Sequence, residues 1–192
     1  MIIGITGGTG CGKTTLLNQI EARGGLVLDC DAIYHRLLQT DETLLARIGE
    51  AFPGTVGKEG LDRKKLGAQV FADPQALKRL NTITHAAVKA QVREQLAGFT
   101  GLGAIDAIAL FESGLDELCD ITVAVTAPEE QRLCRLMKRE KISEDYALAR
   151  IRAQKGEDYF IRVCDCILRN DGTLEQFQRK CRAFLDGLPG QK

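Results

Sequence analysis

The stretch Gly7-Gly8-Thr9-Gly10-Cys11-Gly12-Lys13-Thr14 limits what this chain can become more than any other. It has the form G-x-x-x-x-G-K-[ST]. The apolar run Met1–Thr6 before it reads as a strand, and Leu16, Leu17 and Ile20 after it lie at helical spacing, so a helix over 13–23 follows the loop. Polyphosphate needs many donors at once. Glycines let backbone N–H groups close around it, and the following helix aims its N-terminus at the charge. Lys13 can reach the β and γ oxygens, the Thr14 hydroxyl can ligate Mg²⁺, and Thr15 adds another hydroxyl. These residues predict a nucleotide-phosphate site.

Composition narrows the class. Lys and Arg total 26 and so do Asp and Glu, which argues against a bulk electrostatic grip on nucleic acid or an anionic membrane. No apolar run reaches the 18 or so residues needed to span a bilayer. The seven cysteines at 11, 30, 119, 134, 164, 166 and 181 contain no C-x-x-C pair, and only His35 and His85 could complete a zinc site. Free thiols in a reducing cytoplasm are expected. A GTPase should carry N-K-x-D, but Asn18, Asn81 and Asn170 are each followed by a residue other than Lys.

Short apolar runs alternate with helical patterns, as in a parallel α/β sheet. Strands are expected at 1–6, 26–28, 103–111, 121–125 and 166–168. Residues 32–100 read as a helical insertion with little strand character. Asp73-Pro74 opens a helix within it as N-cap and N1, and 85–97 continues the pattern. Thr126 with Glu129, and Thr173 with Gln176, have capping-box spacing. Residues 132–155 hold Arg132, Arg135, Lys138, Arg139, Lys141, Arg150, Arg152 and Lys155 against Glu140, Glu144 and Asp145, a local excess of five positive charges. Such a segment suits a mobile lid over polyphosphate. The final Gly190-Gln191-Lys192 is expected to fray.

The stretches ITGGTGCGKTT (5–15), LDCDAI (28–33), LDRKKLGAQVFADP (61–74), LFESGL (110–115), LCRLMKRE with SEDYALARIRAQ (133–154) and ILRNDGTLEQ (167–176) together resemble the dephospho-coenzyme A kinase family, in family order over nearly the whole chain. The resemblance implies a three-layer parallel-sheet P-loop kinase with a helical substrate-binding insertion at 32–100 and a lid at 132–155. It implies ATP-dependent phosphorylation of the ribose 3′-hydroxyl of dephospho-CoA with Mg²⁺. Separately, a cytoplasmic protein that acts as a monomer is expected. Ala86 and Ile108 stand where the family usually has proline, and Lys155-Gly156-Glu157 departs from its usual pattern. Another small-molecule or nucleoside kinase on the same scaffold, and a nucleotide-dependent switch without transfer chemistry, are the rival readings.

Candidate residues follow. ATP binding is expected at Gly8, Gly10, Cys11, Gly12, Lys13, Thr14, Thr15, Arg135 and Asn170, with Lys13, Asp31 and Arg139 catalytic. Asp31, at the carboxyl end of the second strand, can take the proton of the attacking hydroxyl, or can cap a helix starting at Ala32. Asp29 reads as structural. Asp106 is either a Walker-B-like carboxylate that joins Thr14 at the metal or a partly exposed strand-end residue. Arg63, His85 and Glu112 are substrate-site candidates beside blander readings: a solvated helix-start arginine, a helix cap or surface histidine, and a cap. Arg135 and Arg139, one helical turn apart, suit phosphate oxygens or a solvated face. Asn170 and Gly172 lie where adenine would sit by resemblance, or form a turn only.

Overall fold

A computed structural model of the chain describes residues 1–189, so the expected fraying of 190–192 lies outside the described residues. The chain forms two compact units, one of residues 1–27, 100–110 and 116 onward, the other of 28–99 and 111–115.

The first unit is built on a sheet. Strands β1 (Ile2–Thr6), β2 (Leu26–Asp29), β5 (Gly103–Asp106), β6 (Ile121–Thr126) and β7 (Cys166–Arg169) lie in the order β2-β5-β1-β6-β7. β1 is central and runs parallel to β5 and β6, and β7 runs parallel to β6. Strands covered by helices read as continuous apolar runs, as these do. On one face, Ile3, Ile5, Val123 and Val125 meet Leu16, Leu17 and Ile20 of α1 (Lys13–Glu21) and Phe177, Cys181 and Leu185 of α9 (Leu174–Asp186) in one buried cluster. The Thr173–Gln176 capping box opens α9 as expected. α6 (Glu129–Glu140) and α7 (Glu144–Arg152) pack on each other through Leu136, Ala147 and Ile151, and α8 (Glu157–Val163) leads into β7.

Two local expectations for this unit fail. The strand expected to reach residue 111 stops at Asp106, because its partner β1 ends at Thr6 and leaves no further ladder. The last link is Ala107 N–H to the Ile5 carbonyl, and the Thr6 hydroxyl then donates to the Ile108 carbonyl as the chain turns. The apolar residues beyond serve packing instead: Leu110 is fully buried. Thr126 makes no capping box. It is the last residue of β6, its hydroxyl donates to Glu157 Oε1 at 3.0 Å, and α6 starts only after Pro128.

The second unit is helical, with one small hairpin, β3 (Val56–Gly57) against β4 (Gly60–Leu61). α2 (Cys30–Thr40), α3 (Glu42–Ala51) and α4 (Arg63–Phe71) all pack on α5 (Pro74–Leu96). Each helix is N-capped by an aspartate: Asp29, Asp41, Asp62 and Asp73 accept from backbone N–H groups two or three residues on. Pro74 occupies the first turn of α5 as expected, but one 23-residue helix runs on through the 85–97 stretch. His85 therefore does not precede a helix; it sits half-buried inside one. Phe52, only 2% exposed, anchors this core, with the Arg79 guanidinium 5.2 Å above its ring.

Candidate active site

The loop between β1 and α1 has the conformation its glycines permit. Gly7, Gly10 and Gly12 have φ of 131°, 76° and 100°. At Gly7 the restriction is double, because a Cβ would also lie 2.2 Å from the Val125 carbonyl oxygen of the neighbouring strand. α1 begins at Lys13 with no side-chain cap, so its N-terminal dipole is offered to whatever anion the loop takes. Lys13 lies across the loop, its Nζ donating to the Gly7 carbonyl at 3.0 Å, and Thr14 is exposed beside it. Cys11 is buried, and burial pushes its thiol up against the opposing pull of Arg132 and Lys13. Its side chain packs in the core cluster, and its carbonyl accepts from Asn170.

Three arginines of α6 line this loop. Arg132, Arg135 and Arg139 are spaced three and four apart, which puts them on one stripe of the helix, while Leu136 is buried against α7. Arg132 Nε donates to the Thr9 carbonyl at 2.9 Å, and Arg135 Nη1 donates to the Gly10 carbonyl at 3.2 Å. Arg139 Nη2 reaches the Thr9 hydroxyl at 3.4 Å and pairs with Glu140 at 2.6 Å. Glu140 also accepts from Arg150, and Arg139, then Arg150, hold its carboxyl below the usual range. With Lys13, four cations surround one short loop, a field that favours a polyanion.

Asn170 is 5% exposed just beyond β7. Its N–H donates to the Thr126 carbonyl at 2.7 Å, its Nδ2 to the Cys11 carbonyl at 2.8 Å, and its Oδ1 accepts from Arg135 at 3.3 Å. The side chain thus makes contacts beyond its own turn, with both the loop and an arginine. Asp106 ends β5 half-buried, opposite Ile5 in the register, one strand away from the loop that carries Thr14. A carboxylate and a hydroxyl are hard oxygen donors of the kind Mg²⁺ accepts. No trio of His, Cys, Asp or Glu among the described residues forms a metal cage.

Arg132 and Gln154 belong to this site although sequence reasoning left both out of it. Gln154 Oε1 accepts from Thr9 N–H and from Arg132 Nη2, each at 2.8 Å. The arginine stripe on α6 was a signal for Arg132. Nothing local marks Gln154, which lies 145 residues from its partner.

Asp31, Arg63, His85 and Glu112 all fall in the second unit. Asp31 lies exposed in the first turn of α2, and the cap there is Asp29, whose Oδ1 accepts from Ala32 N–H at 2.9 Å. The capping alternative for Asp31 is therefore removed, since the helix begins at Cys30. Arg63 is the first residue of α4, exposed after the Asp62 cap, and borders a groove of about 470 Å³ with Leu38, Leu45 and Glu59. Its charge reaches Tyr34, whose phenol is pushed up by burial against that pull. Tyr34 lies one turn after Asp31 on the same side of α2. Glu112 is exposed in the turn after β5.

A family model described as dephospho-CoA kinase matches residues 1–176. A relative named dephospho-CoA kinase from Anaeromyxobacter dehalogenans is 37% identical over 195 residues, covering 98% of this chain and 92% of the relative. A crystal structure of a Thermus thermophilus protein superposes with TM-score 0.82 at 36% identity, covering 99% of this chain and 98% of that one. The structure of dephospho-CoA kinase from Campylobacter jejuni does so with TM-score 0.66 at 26% identity, covering 96% of this chain and 95% of that one.

Proposed function

The chain belongs to the dephospho-CoA kinase family, and from that premise we propose how its own residues divide the work of the last step of coenzyme A synthesis. The reaction transfers the γ-phosphoryl group of ATP to the ribose 3′-hydroxyl of dephospho-CoA. The 3′-oxygen forms a bond to phosphorus, the bond from phosphorus to the β,γ-bridging oxygen breaks, and ADP leaves. The rival kinase and switch readings have no comparable support.

The backbone from Gly8 to Thr15 receives the ATP phosphates at the start of α1. Lys13 leaves the Gly7 carbonyl for the β and γ oxygens, where charge grows during transfer. Arg139, itself exposed and held by Glu140 and by a long contact to the Thr9 hydroxyl, swings onto the transferring group. Arg135 and Asn170 hold the nucleotide side of the loop. Asp31 accepts the proton of the 3′-hydroxyl. Arg63, His85 and Glu112 bind the acceptor, with Arg63 suited to one of its phosphates.

Mg²⁺, when bound with ATP, neutralises charge on the β and γ oxygens. Thr14 and Asp106 would hold it, which fits an ion that relies on substrate phosphates and one or two protein ligands. Residues 132–155 act as the lid, with α6 as its wall and α7 as its outer arm. The substrates are soluble molecules, and no helix of the described residues is long and apolar enough to cross a membrane. The reading puts the enzyme in the cytoplasm with its substrates and takes it as a monomer. The observation that carries the reading is the phosphate loop with its arginine stripe. Its test is ADP release from Mg²⁺-ATP upon addition of dephospho-CoA, with no release upon addition of nucleosides or shikimate.

A further inference from the structure

The transfer step just described leaves the Arg132–Gln154 contact without a task. Thr9, at the crest of the phosphate loop, is 8% exposed. Its N–H donates to Gln154 Oε1 at 2.8 Å and its carbonyl accepts from Arg132 Nε at 2.9 Å. Arg132 Nη2 donates to that same Gln154 oxygen at 2.8 Å, which closes a ring of hydrogen bonds around one residue of the loop. The two side chains come from separate elements, Arg132 from the first turn of α6 and Gln154 from just beyond α7. Gly8 bears on this arrangement independently. Its φ is not left-handed, so its own backbone would allow a side chain. A Cβ there would nevertheless lie 2.3 Å from Arg132 Nη2 and 2.9 Å from Gln154 Oε1, so the clamp occupies the space over it.

We propose that Arg132 and Gln154 are positioning residues that hold the Thr9 peptide, and with it the phosphate loop, in the shape that receives ATP. The inference rests on the reading of this loop as the ATP site. A glycine-rich loop loses much conformational freedom when it closes on phosphate, and a clamp already in place lowers that cost. Arg132 spends two of its donors, aimed in different directions, on the Thr9 carbonyl and on Gln154. A guanidinium can do this and a lysine ammonium at the end of a flexible stem cannot. Because Gln154 closes the segment 132–155, the clamp also ties the loop to the base of the lid.

The test is steady-state kinetics for both substrates, together with direct ATP titration, on the full chain. Arg132→Ala and Gln154→Ala strand a part-buried polar group, so KM for ATP should rise about 10-fold, while KM for dephospho-CoA stays within about twofold. Arg132→Lys should behave like Arg132→Ala. Gln154→Glu keeps the acceptor, so it should hold the Tm that Gln154→Ala loses, while its added charge beside the phosphates weakens ATP binding. Gly8→Ala should weaken ATP binding by pushing the clamp aside, and the double variant with Arg132→Ala should be no worse than Arg132→Ala alone. Normal KM for ATP in Gln154→Ala, rescue by Arg132→Lys, or additive effects of Gly8→Ala and Arg132→Ala would each overturn the clamp. Should Arg132→Ala not fold, Gln154→Ala decides: KM for ATP raised with KM for dephospho-CoA unchanged supports the clamp, and both unchanged overturns it. Failure of the wild-type chain itself to bind ATP would overturn the phosphate-site reading, a separate result.

Discussion

Replacing Asn170 by alanine should damage stability and nucleotide binding together. The side chain is 5% exposed and makes two hydrogen bonds, Nδ2 to the Cys11 carbonyl and Oδ1 from Arg135. Alanine removes both and leaves a carbonyl of the phosphate loop without its donor. At about 1 kcal/mol per hydrogen bond the loss is about 2 kcal/mol, toward the upper end because the carbonyl is left stranded. For a chain of this size about 2–4 °C accompanies each kcal/mol, so Tm should fall by roughly 4–8 °C. Asn170→Asp is the sharper probe. It keeps an acceptor for Arg135 but sets a carboxylate oxygen against the Cys11 carbonyl, so it should lose at least as much despite its shape. Thermal unfolding followed by circular dichroism gives Tm, and ATP titration gives the binding loss. Wild-type Tm and ATP affinity in Asn170→Ala would refute the bracing role, and Asn170 would then be a turn residue.

Asp31→Asn keeps the size of the side chain but removes the base, so kcat should fall by about 10²-fold or more with ATP affinity near normal; a collapse of ATP affinity with intact acceptor binding would move Asp31 to the nucleotide side. Asp165 accepts from the Thr122 hydroxyl and the Thr122 N–H, both at 2.7 Å, and these bonds hold its carboxyl below the usual range. A depressed folded pKa stabilises above the unfolded value and ceases to do so as pH falls through the folded one. Urea midpoints of wild type and Asp165→Asn should therefore differ at pH 7 and converge below about pH 4; a gap unchanged down to pH 3 would contradict this.

What the sequence carried well was local. The phosphate loop is legible because eight adjacent residues contain its whole chemistry, and Asp73-Pro74 and Thr173–Gln176 are legible because a cap and its partner lie within one turn. Thr126–Glu129 has the same spacing and fails, because a competing partner, Glu157, lies 31 residues away. The strand at 103–111 was overextended because an apolar run does not say where its neighbour stops. His85 was misplaced since nothing breaks the helical pattern before it, so two expected pieces are one helix. Asn170 showed as a candidate, but its bracing of Cys11 spans 159 residues, and the clamp of Arg132 and Gln154 on Thr9 spans 123 and 145. Contacts of that kind arise from the order of parallel strands in the sheet, which brings the ends of β1, β6 and β7 together.

The most direct measurement follows phosphoryl transfer itself, in wild type and Lys13→Ala side by side. Each is incubated with Mg²⁺-ATP and dephospho-CoA, with ADP followed by a coupled assay and the product by phosphorus NMR. The wild-type chain should release one ADP per new phosphate monoester, and that phosphate should sit on the ribose 3′-oxygen. Lys13→Ala, folded by circular dichroism, should lose about 10²-fold or more in kcat, since a preorganised charge at the reacting oxygens contributes a few kcal/mol. A phosphate placed elsewhere, ADP release indifferent to dephospho-CoA, or near-normal turnover by folded Lys13→Ala would contradict the account.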